Sequence, residues 1–408
     1  MKDLQAIGDI DWAGLEHAYG PAGDVPDQLR ALAATDPAEV DKALHTLYGN
    51  IFHQGSRYEA TAYAVPFLTG LAVDRATAGR DEIVSLLASI AIGYDESWLP
   101  DGLPILEQRA ELDRLRATDP DAEQARVAAW VAAATDDQDR KSREFEASLF
   151  DPQLVTANQQ WAVDAYDAVR ADLPHLLPLL DDEDVRVRTA CAHLLGWFPE
   201  EAATLAPALL DRARADTAPV VRATALIAYG LVAGPGDTDV AATLDDPAPV
   251  VRAAAAIAAA RLGATDPDRV VSVLVETMTA EATTRRNRLP FLDGNLPGYA
   301  ALALAQSAGH ADRAVDAVLT ALPTTPPYPA VPLVSALLGA AFPDGRVAAG
   351  TPFTALTDRQ RRAVAGLAAA DFAWHGDQPG TIYVNLNEVV RSYGLPDHLE
   401  ALKSYVRN

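Results

Sequence analysis

The sequence is poor in cysteine, aromatic residues and lysine. Its single cysteine, Cys191, cannot form an intrachain disulfide, so nothing indicates an oxidising compartment. Aromatic residues supply 7% of the chain although hydrophobic residues supply 49%. The apolar mass therefore consists mainly of Ala, Leu and Val, which favours close packing of helix on helix over a β-sandwich or barrel.

Long apolar runs are also missing. No stretch of 18 or more uninterrupted apolar residues occurs, which argues against a transmembrane helix. Residues 1–5 show no basic segment followed by an apolar one, so no signal peptide is expected. These absences predict a cytoplasmic protein.

Basic residues are in the minority. The chain has 33 Lys and Arg against 57 Asp and Glu, and its formal charge is −24. Nucleic acids and anionic membranes both require a cationic protein surface, so neither is an expected partner. The acidic excess favours a basic protein or peptide instead.

The familiar catalytic and metal-binding motifs are absent as well. There is no H-E-x-x-H, Walker loop or G-x-S-x-G elbow, and one cysteine cannot build a zinc knuckle. Residues 230–236 miss the dinucleotide spacing and contain a proline, which predicts a loop between helices. No metal or cofactor is expected, although scattered residues on a helical scaffold could still perform catalysis.

What the sequence does contain is helical periodicity. Three amphipathic helices are predicted from apolar stripes at helical spacing: Val187, Cys191, Leu194, Leu195 and Phe198; Val221, Ala225, Ala228 and Tyr229; and Val251, Ala255, Ala258 and Leu262. Each stripe follows an Asp placed six residues before an Arg: Asp182 and Arg188, Asp216 and Arg222, Asp246 and Arg252. The arginines lie 34 and 30 residues apart, which is the length of a two-helix repeat.

The Asp–Arg spacing has a physical interpretation. The Asp can accept from free backbone N–H groups where a helix begins, and the Arg can reach the Asp of an adjacent repeat. Binding of an anionic partner by the arginines is the other interpretation. A related pattern, with Lys in place of Arg, occupies residues 36–47.

These residues resemble the HEAT-repeat family, specifically over residues 173–280 and more weakly at 36–47. The resemblance implies an all-α fold, a right-handed α-solenoid of stacked antiparallel helix pairs, whose concave face holds other macromolecules. We expect one such domain over 1–408, with a charged insertion near 135–151 and a C-terminal cap at 372–408.

Two polar clusters are the candidate binding surface. They consist of Asn50, His53, Gln54, Arg57, Tyr58 and Tyr63, and of Tyr94, Asp95 and Trp98. The first cluster resembles a GNI-HQG-YEAT-YAVP block of bacterial HEAT-repeat proteins, a resemblance that brings no known activity.

Three interpretations of the first cluster are open. Ser56 and Glu59 have the spacing of a capping box, which is a structural role. The cluster could instead recognise a ligand or peptide. It could also be catalytic, with His53, Glu59 and Tyr63 as acid–base groups, because Glu59 and Tyr63 share a helix face.

Two functions follow from these patterns. The favoured hypothesis is a non-catalytic scaffold whose acidic concave surface holds a protein or peptide partner, expected to be basic. The alternative is an enzyme, or a factor that modifies peptides or small molecules, with its site at His53, Glu59 and Tyr63. The sequence makes no prediction of the oligomeric state.

Overall fold

The computed structural model confirms the all-α solenoid class, since α-helices connected by short turns account for most of the chain. It describes residues 1–135, 137–236, 240–263, 266–279, 289–348, 350–376 and 384–408. The chain divides into two compact units, Met1–Glu200 and Glu201–Asn408, here called unit 1 and unit 2.

Unit 1 contains α-helices and two short β-hairpins. Its helices are α1 (Val25–Ala31), α2 (Pro37–Asn50), α3 (Glu59–Val73), α4 (Arg80–Ile92), α5 (Ile105–Ala117), α6 (Pro120–Ala132), α7 (Asp137–Ser148), α8 (Pro152–Leu176) and α9 (Val185–Leu195). Strand β1 (Glu16–His17) pairs antiparallel with β2 (Gly20–Pro21), and β3 (Phe52–His53) with β4 (Ser56–Arg57).

The described residues of unit 2 form α-helices and short 3-10 helices joined by turns and loops, with no β-strand. Its helices are α10 (Ala202–Ala215), α11 (Pro219–Val232), α12 (Pro249–Leu262), α13 (Pro267–Thr279), α14 (Leu296–Ala305), α15 (Ala311–Ala321), α16 (Pro327–Ala341), α17 (Asp358–Ala369), α18 (Asp371–His375), α19 (Val384–Ser392) and α20 (Leu399–Arg407).

The predicted apolar stripes form the core. Every member of the three stripes on α9, α11 and α12 is buried, including Phe198, which lies beyond the end of α9. On α2 the apolar residues Val40, Ala43, Leu44 and Leu47 are buried as well. Helical spacing therefore identified the inward faces correctly.

The predicted role of Asp at the start of a helix is also confirmed. The Asp216 side chain accepts from the Ala218 N–H at 2.8 Å, and Asp246 accepts from the Ala248 N–H at 2.9 Å. Arg222 forms an ion pair with Asp246, which begins the next repeat. The Asp246 carboxylate thus orders the turn before α12 and also pairs with an arginine of α11.

One loop prediction is wrong in part. Residues 230–232 belong to α11, and the helix ends at Val232. A Cβ on Gly230 would lie 2.8 Å from Ala258 Cα. The glycine therefore marks a close approach of α11 and α12 and not the start of a loop.

The insertion, the cap and the single-domain boundary remain predictions. Helix α7 occupies most of 135–151, while Asp136 lies outside the described residues. Helices α18, α19 and α20 occupy the predicted cap, whose residues 377–383 also lie outside them. None of the helices described is both long enough and apolar enough to cross a membrane.

Candidate binding surface

The β3–β4 hairpin organises the first predicted cluster. Gln54 and Gly55 form its two-residue turn with φ values of 51° and 85°, a left-handed pair that matches the twist of a tight hairpin. A Cβ on Gly55 would lie 3.1 Å from Tyr94 Cδ2. The second cluster, through Tyr94, therefore packs directly on the turn of the first.

Two exposed tyrosines flank this hairpin. Tyr94 is 49% exposed and meets Phe52 edge to face at 5.6 Å between ring centroids. Tyr19 is 72% exposed, lies 5.5 Å from the His53 ring, and brings its hydroxyl 3.5 Å from His53 Nδ1. These ring contacts hold both tyrosines in position while leaving them accessible.

Tyr58 extends the same surface. Its ring lies 6.3 Å from that of Trp161 on α8. Burial raises the pKa of the Tyr58 phenol, a hydrogen bond with Ser56 opposes the rise, and the neighbouring Tyr19 adds to it. We name this set the hairpin surface: Tyr19, His53, Gln54, Tyr58, Tyr94 and Trp161.

Arg57 lies beneath the hairpin turn. Its Nη1 donates to the Gly55 carbonyl at 2.6 Å, and its Nε is buried without a hydrogen bond. Desolvation by burial lowers the pKa of the guanidinium to about 10. A Cβ on Gly93 would lie 2.6 Å from Nη1 and 3.2 Å from the Gly55 carbonyl oxygen, so the guanidinium lies close against the Gly93 backbone.

Asn50 supports the hairpin surface from below. It is 2% exposed, its Nδ2 donates to Gln28 Oε1 at 2.8 Å, and its Oδ1 accepts from the Ile51 N–H at 2.7 Å. Its main-chain carbonyl accepts from the Ala18 N–H, next to Tyr19. This geometry suits a positioning residue more than a contact residue.

The other two members of the second cluster are more enclosed than Tyr94. Trp98 donates from Nε1 to the Ile92 carbonyl at 2.6 Å and so anchors the loop after α4. The Asp95 side chain is 13% exposed and lies 3.9 Å from His193 Nε2. Tyr94 is therefore the most accessible residue of this cluster.

The structure shows no hydrogen bond that links His53 with the other two acid–base candidates among the described residues. The hydrogen bond of His53 is to Tyr19, and neither Glu59 nor Tyr63 hydrogen-bonds to His53 among the described residues. Tyr63 is 47% exposed on α3. The catalytic alternative remains a prediction.

The predicted Ser56–Glu59 capping box is wrong. Ser56 pairs within β4, so α3 begins later, with Tyr58 as its N-cap. Thr61 supplies the cap: its Oγ1 accepts from the Tyr58 N–H at 2.8 Å and donates to the Ile51 carbonyl at 2.6 Å. The strand competes with the helix for Ser56, a tertiary effect that local spacing does not show.

Replacing Thr61 by the isosteric valine is expected to lower the free energy of unfolding by about 1–2 kcal/mol, because two backbone groups lose their partner. Glu59→Gln is the matched control, with an expected cost of about 0.5 kcal/mol or less from one charge at a helix N-terminus. Urea unfolding at neutral pH measures both. A larger loss for Glu59→Gln than for Thr61→Val would restore the Ser56–Glu59 box.

Two members of the hairpin surface were missed from the sequence. Tyr19 is separated from His53 by 34 residues, and Trp161 belongs to the distant helix α8. The adjoining Gly20 and Pro21 predict a turn near Tyr19, but no local spacing indicates what its ring contacts.

The acidic excess is concentrated in the unit that carries this surface. Unit 1 has 16 basic and 36 acidic residues, whereas unit 2 has 17 and 21. Most arginines of unit 1 are already paired with carboxylates: Arg30, Arg75, Arg80, Arg109, Arg114, Arg116, Arg126, Arg140, Arg143, Arg170 and Arg186. The surplus carboxylates therefore give unit 1 a negative field.

Other features of the described residues do not add to this site. A cavity of about 460 Å³ lies between α5, α6 and α8, lined in part by Leu115, Pro152 and Ala157, and it contains none of the predicted site residues.

No group of three or more His, Cys, Asp or Glu in the described part of the chain is arranged to hold a metal ion. Burial raises the pKa of the Cys191 thiol, which keeps it protonated.

Comparison with known proteins identifies a repeat type. Residues 156–230 match a family model described as HEAT repeats. No curated protein matches the chain. Among solved structures, the chain is similar to an engineered protein from the Northeast Structural Genomics Consortium, with 18% identity, 94% of this chain and 100% of that chain covered, and a TM-score of 0.30. A TM-score this low adds nothing to the fold assignment.

Proposed function

Because the chain carries HEAT repeats, which commonly act as protein-interaction scaffolds, we propose that it binds a basic protein or peptide segment at the hairpin surface. The observation that carries the proposal is the presence of exposed, fixed aromatic rings in the unit that holds most of the negative charge. Tyrosines of this kind are frequent hot spots of interfaces.

The negative charge and the exposed tyrosines have different roles in recognition. The negative field of unit 1 attracts a basic segment and speeds its encounter. Tyr19 and Tyr94 then supply apolar contact area at little entropic cost, because ring contacts with His53 and Phe52 already restrict them. The proposal keeps the predicted non-catalytic role and cytoplasmic location, and it excludes nucleic acid because the same field repels phosphates.

A charge-sorted peptide library tests the proposal. Fluorescence anisotropy of the full-length chain would compare Lys/Arg-rich, uncharged and Asp/Glu-rich 15-residue peptides of equal apolar content at low salt. We expect the basic set to contain the binders. Equal binding by acidic or uncharged peptides would contradict the proposal.

Paired variants place the binding on the hairpin surface. Tyr19→Ala combined with Tyr94→Ala should weaken the best basic peptide by about tenfold or more, the size expected for interface hot spots. Phe145→Ala is the control, because this ring is 67% exposed on α7 in the same unit. An equal loss in the control would show that the peptide does not select the hairpin surface.

A further inference from the structure

Arg57 differs in a specific way from the carboxylate-paired arginines of unit 1 named above. It is largely buried, yet among the described residues no carboxylate lies within ion-pair distance of it, and burial is the cause of its lowered pKa. Arg80, comparably enclosed, pairs with Asp182 at 2.7 Å. Burying a guanidinium without a counter-charge destabilises the fold. Arg57 lacks one among the described residues, although unit 1 contains 36 acidic residues.

The free donors of Arg57 share one edge. Nη1 is used by the Gly55 carbonyl, and Nε is buried with no acceptor. Nη2 is not among the buried unpaired atoms and makes no hydrogen bond to a described residue, so it reaches solvent. Nη2 is therefore the atom that a ligand arriving from solvent can reach, and a guanidinium N–H donates a charge-assisted hydrogen bond to a carboxylate oxygen.

We propose that Arg57 binds a carboxylate of the partner segment, beside the tyrosines of the hairpin surface. This inference rests on the proposed function, since it assigns one anchoring group to that ligand. The carboxylate is either the C-terminal carboxylate of the segment or an Asp or Glu side chain within it.

The surrounding charge selects a carboxylate over a phosphate. The acidic excess of unit 1 penalises a dianion more than a monoanion. A single carboxylate on an otherwise basic segment leaves the ligand with a net positive charge, which this field attracts. The hydrogen bond from Nη1 to the Gly55 carbonyl holds the guanidinium in position before the ligand arrives.

Small probes test the site without any peptide. NMR spectra of the arginine Nε–H groups would be recorded during titration with N-acetylglycine, propionate, N-acetylglycinamide or inorganic phosphate. The Arg57 signal is assigned by its loss in Arg57→Gln. We expect a saturable shift with the two carboxylates and none with the amide. N-acetylglycine mimics a C-terminus and propionate a side chain, so their relative affinities separate the two sources.

The same spectra contain their control. Arg30 is exposed and, within the described part of the chain, forms an ion pair only with Asp27, so it reports non-specific ion binding. No shift at Arg57, equal shifts at Arg30 and Arg57, or tighter binding of phosphate than of the carboxylates would overturn the inference. The titration uses the wild-type chain, so it is decisive even if Arg57→Gln folds poorly; Arg57→Lys then provides the assignment.

Peptides separate failure of this inference from failure of the proposed function. The best basic peptide would be made with a free C-terminal carboxylate, with a C-terminal amide, and with each internal acid changed to its amide. Removal of the anchoring carboxylate should weaken binding by about tenfold or more, and Arg57→Gln should abolish that difference. If basic peptides bind with no carboxylate dependence, only the Arg57 assignment fails; if none binds, the proposed function fails.

Discussion

Replacing Asp182 by asparagine is expected to lower the free energy of unfolding by about 3–5 kcal/mol at neutral pH, because it leaves a buried guanidinium without its counter-charge. Asp182 pairs with Arg80 at 2.7 Å, and the two side chains are 7% and 11% exposed. Arg80 also donates to the Ala72 carbonyl, so it cannot turn out to solvent without breaking a second contact. Urea unfolding measures the loss.

The adjacent acid is a matched control. Glu183 pairs with Arg75 at 3.0 Å, but these side chains are 86% and 71% exposed. Glu183→Gln makes the same chemical change one residue away and should cost less than about 1 kcal/mol, as exposed ion pairs do. Similar losses for Asp182→Asn and Glu183→Gln would show that burial does not determine the strength of these pairs.

The contribution of Asp182 should depend on pH in a defined direction. Burial raises its pKa, but hydrogen bonds from Arg80 and from the Asp184 N–H outweigh this effect, and its pKa in the folded protein is below the ordinary value. A carboxyl group whose pKa is lower in the folded than in the unfolded protein stabilises the fold at pH values above its unfolded-state pKa of about 3.9. This stabilisation is lost as the pH falls through the folded-state pKa. The difference between wild type and Asp182→Asn should therefore narrow below about pH 4. A constant difference down to pH 2 would contradict this.

Replacing Gly230 by alanine should lower the free energy of unfolding by about 2–3 kcal/mol through overpacking, even though alanine is the better helix former. The added methyl carbon would lie 2.8 Å from Ala258 Cα and 2.9 Å from Ala258 Cβ. The obstructing atoms include backbone, so α11 and α12 would have to separate. Thermal or urea unfolding measures the change.

Gly49→Ala is the control with the opposite sign. Gly49 lies within α2 and has nothing within 4 Å of its added Cβ. Alanine should stabilise the chain there by about 0.5–1 kcal/mol, the ordinary helix-propensity gain. Stabilisation by both substitutions would refute the close approach of α11 and α12 at Gly230.

The helical core could be predicted because its determinants are local. Helical spacing predicts that Val187, Cys191 and Leu194 share one buried face, and the Asp spacing predicts that Asp216 accepts from a backbone N–H in the turn before a helix; both are confirmed. The start of α3 could not be predicted, because the pairing of Ser56 in β4 competes with the capping box. The loop predicted to begin at Gly230 is wrong because the need for glycine there comes from the close approach of α12, which local sequence does not show.

The candidate site shows the same division. The two short polar clusters predict His53, Arg57 and Tyr94 as binding residues. Tyr94 does pack on the hairpin that contains His53 and Arg57. Tyr19 and Trp161 join them through contacts across long separations in sequence, which periodicity does not report. The missing carboxylate beside Arg57 is visible only when the contacts of each arginine are known.

The salt dependence of peptide binding tests the central claim most directly. The dissociation constant of the best basic peptide would be measured at about 0.05 M and about 0.5 M NaCl, between which the Debye length falls to well below 10 Å. We predict binding that weakens by about tenfold or more with added salt and that is weaker at both concentrations in the Tyr19→Ala/Tyr94→Ala variant. A dissociation constant that is unchanged by salt and by the tyrosine substitutions would contradict an acidic, tyrosine-bearing binding surface in unit 1.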